Sequence, residues 1–154
     1  MSNIQVEEFN FPVNYAEGSI QLKGYTFTSE SNNEKLPPII FNSGFTGGVS
    51  MYGQLFGKAL ATLGYTVTTY DVSGFFTNKA VRNTFQQNGK TITNVSLEDQ
   101  KTELLALIAH TRKTTGKMPV VISWAMGSVV SLAAVNEMAR TDDEQLALYV
   151  PMSY

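Results

Sequence analysis

The order of apolar and polar residues changes character after the first thirty positions. Residues 4–11 and 19–28 alternate apolar with polar side chains, as strands do when one face is buried and the other faces water. Only a short connection that ends in Gly18 separates the two segments. The pattern therefore predicts an antiparallel hairpin at the start of the chain.

Four later segments are apolar without alternation, which is typical of strands covered on both faces of a sheet. These segments are 39–42, 65–70, 119–122 and 146–150. Apolar residues at helical spacing between them predict three helices. These helices are 52–63, 96–115 and 127–140. Because strands that alternate with helices form parallel sheets, the predicted fold class is α/β, a mixed and mostly parallel sheet with helices on both faces.

Local signals place the helix ends and the loops. Ser96 followed three residues later by Asp99 resembles a capping box at the start of the second helix, and Gly64 and Gly116 stop the first two helices. The first helix is expected to bury its large apolar positions Leu55, Phe56, Ala59, Leu60 and Leu63. Residues 72–95 are rich in Asn, Gln, Thr and Gly and are predicted to form a long irregular loop.

Composition narrows the classes of function. The chain has 154 residues, of which 43% are hydrophobic and 16% charged, with a net charge of −2. Without a basic run, we expect no nucleic-acid partner and no membrane partner. The absence of cysteine excludes disulfides and thiolate metal sites, and with His110 as the single histidine we expect no metal and no cofactor. The first residues lack the basic and apolar regions of a secretion signal, which favours a cytoplasmic location.

The candidate chemistry lies in VVISWAMGSVV, residues 120–130. An apolar run there passes through Ser123-Trp124-Ala125-Met126-Gly127 directly into a predicted helix. This is the spacing and the context of the nucleophile elbow, G-x-S-x-G, in which small flanking residues let the strand and helix backbones approach closely. Two positions depart from that pattern, because Ala125 stands where the serine nucleophile is expected and Ser123 replaces the first glycine.

On these residues the chain resembles the α/β-hydrolase superfamily. Ser43-Gly44-Phe45 follows the third strand, where that family carries its oxyanion loop, and Asp71-Val72-Ser73-Gly74 follows the fourth, where an Asp-x-x-Gly turn is common. The stretch from "PIIFNSGFTGG" to "LATLGYTVTTYD" is similar to bacterial acyl-thioesterases and acyltransferases and to dienelactone-hydrolase-like esterases. The resemblance implies the strand order 1-2-4-3-5-6-7-8, with residues 1–154 forming the N-terminal portion of a single domain.

The resemblance also implies an activity and its site. It implies a serine-type ester or thioester hydrolase, or an acyltransferase, that acts through an acyl-enzyme on an acyl ester or acyl-thioester substrate. The amides of Phe45 and Met126 would form the oxyanion hole, and Ser43, Gly44 and Trp124 would contact the substrate, although Trp124 reads equally well as core. In the family the acid and the histidine follow the sixth strand. We therefore expect a second polypeptide or a C-terminal fragment to complete the fold, and this chain to be inactive alone.

Several alternatives remain open at this stage. His110 is expected on an outer helix face, Ser123 and Ser128 are expected to pack locally, and Asp71 is expected to form a turn; each is a weak candidate for catalysis. A different class of function is also compatible with Ala125. The chain could be a natural pseudo-hydrolase that binds a ligand or a partner without chemistry.

Overall fold

The computed structural model describes residues 3–16, 18–42, 51–72, 85–87, 90–92, 96–141 and 146–152. The elements in chain order are β1 (Ile4–Asn14), β2 (Ser19–Ser29), β3 (Ile39–Asn42), α1 (Met51–Thr62), β4 (Val67–Tyr70), β5 (Phe85–Gln87), β6 (Lys90–Ile92), α2 (Leu97–Thr115), β7 (Val120–Trp124), α3 (Met126–Arg140) and β8 (Leu148–Met152).

The main sheet has six strands in the order β1-β2-β4-β3-β7-β8. Strands β1 and β2 form the predicted antiparallel hairpin, and β2 is also antiparallel to β4. The remaining neighbours, β4 with β3, β3 with β7, and β7 with β8, are parallel. The predicted mixed sheet is therefore confirmed, and its order is that of the first six strands of the α/β-hydrolase fold.

Helices cover the sheet on both faces, as the strand–helix alternation predicts. Helix α1 covers one face, where the buried residues are Tyr25, Phe27, Ile39, Phe41, Ala61 and Val67. Helices α2 and α3 cover the other face and pack against each other. The larger core lies on this second face, and its members from the sheet include Phe11, Leu22, Ile40, Tyr70 and Val121.

The predicted buried face of α1 is wrong in part. Leu55 and Leu63 are 59% and 69% exposed, and the positions that turn fully inward are the small residues Gly53, Gly57 and Ala61. A Cβ atom at Gly57 would lie 2.9 Å from the ring of Phe27, which is closer than two carbon atoms approach without a shift. The helix therefore lies against the sheet on its small residues, and hydrophobicity alone does not reveal which stripe faces inward.

The structure also corrects the region between β4 and α2. Residues 72–95 were expected to form one irregular loop, but β5 and β6 pair within it as a short antiparallel ribbon. Helix α2 begins and ends as predicted: the side chain of Ser96 accepts a hydrogen bond from the Asp99 amide, the Asp99 side chain accepts one from the Ser96 amide, and Gly116 ends the helix with φ 71°.

Within the described ranges, no helix is long and apolar enough to cross a membrane.

Candidate active site at the strand-to-helix turn

One residue, Ala125, connects the last residue of β7 to the first residue of α3. Its backbone angles are φ 52° and ψ −125°, and among the described residues it is the only non-glycine with positive φ. A side chain in this region costs on the order of 1–3 kcal/mol and persists only where the surrounding structure enforces it. The sequence pattern predicts this strained turn, and such strain clusters at functional sites.

Two hydrogen bonds from the turn converge on the end of β8. The amide of Ala125 donates to the carbonyl oxygen of Met152 at 3.1 Å, and the Ser128 hydroxyl donates to the same oxygen at 3.1 Å. Ser128 also donates its amide to the carbonyl oxygen of Ala125 at 2.9 Å. Ser128 therefore stabilises the turn by local packing, as expected, and its hydroxyl is already used.

A second set of polar groups lies directly beneath the turn, on the α3 face of the sheet. We call this set the polar floor; it consists of Tyr70, Asn42, Ser123 and Ser131, all buried. The Asn42 side-chain amide donates to the Gly127 carbonyl oxygen and to the Ser131 hydroxyl, both at 3.2 Å. The Tyr70 hydroxyl donates to the Asn42 side-chain oxygen at 3.4 Å. Buried polar groups cost free energy unless they are paired, and these are paired with one another.

The polar floor explains how a serine can replace the first glycine of the elbow pattern. The hydroxyl of Ser123, which replaces a glycine, makes a short hydrogen bond with the Ser131 hydroxyl on α3. Ser131 in turn donates to the carbonyl oxygen of Gly127 at 2.8 Å. A side chain at position 123 is therefore accommodated because α3 supplies a polar partner for it, and Ser123 is committed to that structural contact.

Of the two predicted oxyanion donors, Met126 and Phe45, the structure describes only Met126. Met126 is the first residue of α3, and the first N–H groups of a helix have no acceptor within the helix. No side chain caps this helix, and Met126 is 37% exposed. Its role as an oxyanion donor stays a prediction. Phe45, together with Ser43 and Gly44, lies outside the described residues, so these assignments stay predictions.

Trp124, the predicted substrate contact, lies on the α1 face of the sheet. Its ring stacks on Tyr52 with the centroids 6.0 Å apart, and lies 5.9 Å from the ring of Phe56. It is half-buried and packs at the border of the core beneath α1. Both interpretations of Trp124 have support in this position, and contact with substrate stays a prediction.

The expectation that His110 lies on an outer face is wrong. Its ring is half-buried and stacks on Phe9 of β1, with the planes 2° apart and the centroids 5.0 Å apart. Burial, and then the charge of Lys113, lowers the pKa of His110. Four strand spacings separate β1 from β7, which is about 19 Å. The single histidine of the chain is therefore a packing residue, too far from Ala125 to serve as its base.

Asp71 makes structural contacts with strand β2. Its carboxylate accepts a hydrogen bond from the Tyr25 hydroxyl at 2.8 Å, and its amide donates to the Lys23 carbonyl oxygen at 2.9 Å. Burial raises the pKa of Asp71, and the hydrogen bond from Tyr25 partly opposes that rise. These contacts tie the residue after β4 to β2. The expected turn continues into residues 73 and 74, which lie outside the described residues, and stays a prediction.

The strand order and the strained strand-to-helix turn together define the α/β-hydrolase fold, and solved structures agree. A protein from Agrobacterium vitis S4 assigned as a hydrolase superposes with a TM-score of 0.69 at 14% identity, over 96% of this chain and 52% of that one. An α/β hydrolase from Penicillium sp. sh18 gives 0.67 at 17% identity, over 96% and 45%. Brefeldin A esterase, a bacterial homologue of human hormone-sensitive lipase, gives 0.63 at 18% identity, over 95% and 40%.

These structures share the fold with the chain at low identity, and the chain spans about half the length of the first of them. No protein-family model matches the sequence, and no curated protein does. The neighbours are hydrolases and esterases, so the fold is one that commonly carries ester hydrolysis.

Proposed function

We propose that this chain is the elbow-bearing part of a serine-type ester or thioester hydrolase, or acyltransferase, with alanine at the nucleophile position. The observation that carries the proposal is the backbone of Ala125, held at φ 52° and ψ −125° between strand β7 and helix α3. In a nucleophile elbow, a strained turn of this kind exposes the side chain where a serine hydroxyl would meet a substrate.

Binding and turnover separate in such a chain. The Met126 amide is a backbone donor, and backbone donors are unaffected by the loss of a side-chain hydroxyl. An acyl carbonyl or carboxylate oxygen would therefore still be stabilised there, as an oxyanion is in acyl transfer. A covalent intermediate requires a nucleophile, and rapid formation and release of that intermediate also require a base. Ala125 has no nucleophilic group, and His110 is too distant to act as the base. The chain is proposed to bind acyl compounds without turning them over.

Completion of the sheet by another segment is the second part of the proposal. On the α1 side, β7 and β8 present paired apolar residues at every second register position: Val120 with Leu148, Ile122 with Val150, and Trp124 with Met152. None of these side chains is fully buried, and Leu148 is 56% exposed, whereas Ile39 and Phe41 of β3, beneath α1, are buried. We propose that a second polypeptide or a C-terminal segment covers this strip and brings the acid and the histidine.

The alternative function, binding without chemistry, rests on the same residue. Ala125 has no hydroxyl, and Ser123 is part of the polar floor, so a natural pseudo-hydrolase would keep the turn as a ligand site. This alternative predicts the same carboxylate binding. It differs in predicting no acyl transfer when a serine is placed at position 125.

The experiment that tests binding is a titration of the chain with butyrate, followed through the backbone amides by ¹H–¹⁵N NMR. We expect the largest shifts at Ala125, Met126 and Gly127. Met126→Pro removes the donor at a helix position that tolerates proline and is expected to abolish these shifts at Ala125 and Gly127. Because proline also restricts the residue before it, the amide shifts of the unbound variant are used to check that the turn at Ala125 is retained. Met126→Leu keeps the amide and is the matched control. Equal binding by the two variants, or shifts centred elsewhere, would contradict the proposal.

A further inference from the structure

Hydrogen bonds hold the backbone on both sides of Met126. The elbow pattern accounts for the upstream side but not for the side chains that hold the downstream side. Upstream, the Ala125 amide is tied to the Met152 carbonyl oxygen at 3.1 Å. Downstream, the Gly127 carbonyl oxygen accepts from the Asn42 side chain at 3.2 Å and from the Ser131 hydroxyl at 2.8 Å. The Met126 amide lies between these two anchors. Any movement of the first turn of α3 would have to stretch one of them.

Asn42 reaches α3 from a different strand. It is the last residue of β3 and lies beside Ser123 of β7 in the parallel register, so both side chains point to the α3 face. Its own side-chain oxygen is fixed from β4 by the Tyr70 hydroxyl. Asn42 therefore links β3 and β4 to α3, the helix that carries the candidate oxyanion donor.

The chemistry at these positions is unusual for their surroundings. The same face of the sheet carries Leu22, Ile40 and Val121 below this level, and an apolar residue at position 42 would continue that core. A buried amide with several hydrogen-bond partners fixes the orientation of those partners as well as filling space. This is because hydrogen bonds in a low-dielectric interior weaken steeply when their geometry changes.

We infer that Asn42 is a positioning residue for the proposed acyl site: through Gly127 and Ser131 it sets where the Met126 amide points. The inference rests on the proposed function, since it concerns the donor of that site. Asn42 is buried beneath the turn, so its effect would be exerted through the first turn of α3.

The test compares Asn42→Leu, which keeps the branching at Cγ and removes the polar group, with Ile108→Val, a core substitution in α2. Butyrate affinity is read at the Met126 amide for both. We expect Asn42→Leu to weaken binding about tenfold, less than the roughly 10²–10³ that follows loss of a whole oxyanion donor, and Ile108→Val to leave it within about twofold. Ser131→Ala, which removes the second donor to Gly127, should weaken binding in the same direction, and Ser131→Thr should restore it.

The outcomes separate this inference from the proposed function. If the unmodified chain binds butyrate and Asn42→Leu binds it equally well, the positioning role is overturned. If the unmodified chain binds no butyrate, the proposed function fails, and the positioning role is then read from the Met126 ¹⁵N shift itself. That shift should differ in Asn42→Leu and not in Ile108→Val, and equal shifts would overturn the inference. Should Asn42→Leu not fold, Ser131→Ala against Ser131→Thr gives the same two readings.

Discussion

At the scale of single residues, Ala125 is the most informative position of the chain. The five residues 123–127 predict a strained turn there, and the backbone has that turn. The serine side chain that such a turn exposes in a nucleophile elbow is absent. The prediction succeeds because strand, turn and helix are specified locally by small residues and by the apolar run before them. His110 shows the reverse case, since its stacking on Phe9 depends on a strand a hundred residues away.

The strain at Ala125 predicts a stabilising substitution. Ala125→Gly removes the side chain from a positive-φ position, which relieves about 1–3 kcal/mol of strain and costs somewhat less than about 1 kcal/mol in unfolded-state entropy. We expect the free energy of unfolding, measured by urea denaturation, to rise by about 1 kcal/mol. The matched control is Ala139→Gly at an exposed site of α3, which should cost about 1 kcal/mol. A loss of stability in both variants would show that Ala125 is unstrained.

His110 predicts a pH dependence of stability with a definite sign. Burial lowers its pKa in the folded chain below the usual 6.5, so near that pH the unfolded chain binds more protons. The contribution of neutral His110 is complete above about pH 6.5 and is lost as the pH falls through the lowered pKa. The stability difference between the unmodified chain and His110→Gln should therefore shrink from about pH 7.5 to about pH 5.5. A pH-independent difference in urea denaturation would contradict this environment.

At the scale of elements, hydrophobic periodicity predicts which segments are helices and strands better than it predicts which sides they bury. Helix α1 faces the sheet with Gly53, Gly57 and Ala61 and leaves Leu55 and Leu63 outside, because Phe27 fills the space that a larger residue would need. The polar floor was not predictable either. Serine and asparagine at strand ends read equally well as loop residues until the strands are placed side by side.

The polar floor predicts coupled substitutions. Ser123→Ala and Ser131→Ala should each cost about 1–3 kcal/mol, because each leaves a buried partner without its hydrogen bond. The double variant should cost less than the sum by about 0.5–3 kcal/mol, since the shared contact is lost only once. As the control, Ser131→Ala combined with Ile108→Val should be additive within about 0.5 kcal/mol. Additivity of the two serine substitutions in urea denaturation would contradict the hydrogen bond between them.

At the scale of the whole molecule, the fold class and the order of the six strands follow from the alternation of strands and helices and from the family resemblance. What the sequence leaves undetermined is how the site is completed, because the predicted oxyanion loop falls outside the described residues and the base is not near Ala125. The half-buried strip on β7 and β8 is the observation behind the proposed cover, since apolar sheet faces and unpaired edges promote association.

This strip predicts self-association of the isolated chain. Leu148→Lys places a charge on the exposed edge strand and should reduce concentration-dependent association in sedimentation velocity, with the free energy of unfolding changed by less than about 0.5 kcal/mol. Leu63→Lys removes an exposed leucine at the end of α1 and should leave association unchanged. If the chain stays monomeric at every concentration, or if Leu63→Lys acts like Leu148→Lys, the strip is not the associating surface.

The most direct measurement of the central claim, that Ala125 occupies a nucleophile position beside an oxyanion donor, is acyl transfer to Ala125→Ser. The variant is incubated with p-nitrophenyl butyrate and analysed by intact mass. The serine oxygen would bond to the acyl carbon, p-nitrophenolate would leave, and the serine proton would pass to solvent. Without a nearby histidine, both acylation and deacylation lack a base. The butyryl group should therefore form slowly, helped by the oxyanion donor alone, and should then accumulate at position 125, as located by peptide mapping. Ala139→Ser, with an exposed serine on the same helix, should stay unmodified. Equal labelling of the two variants, or none, would contradict the account.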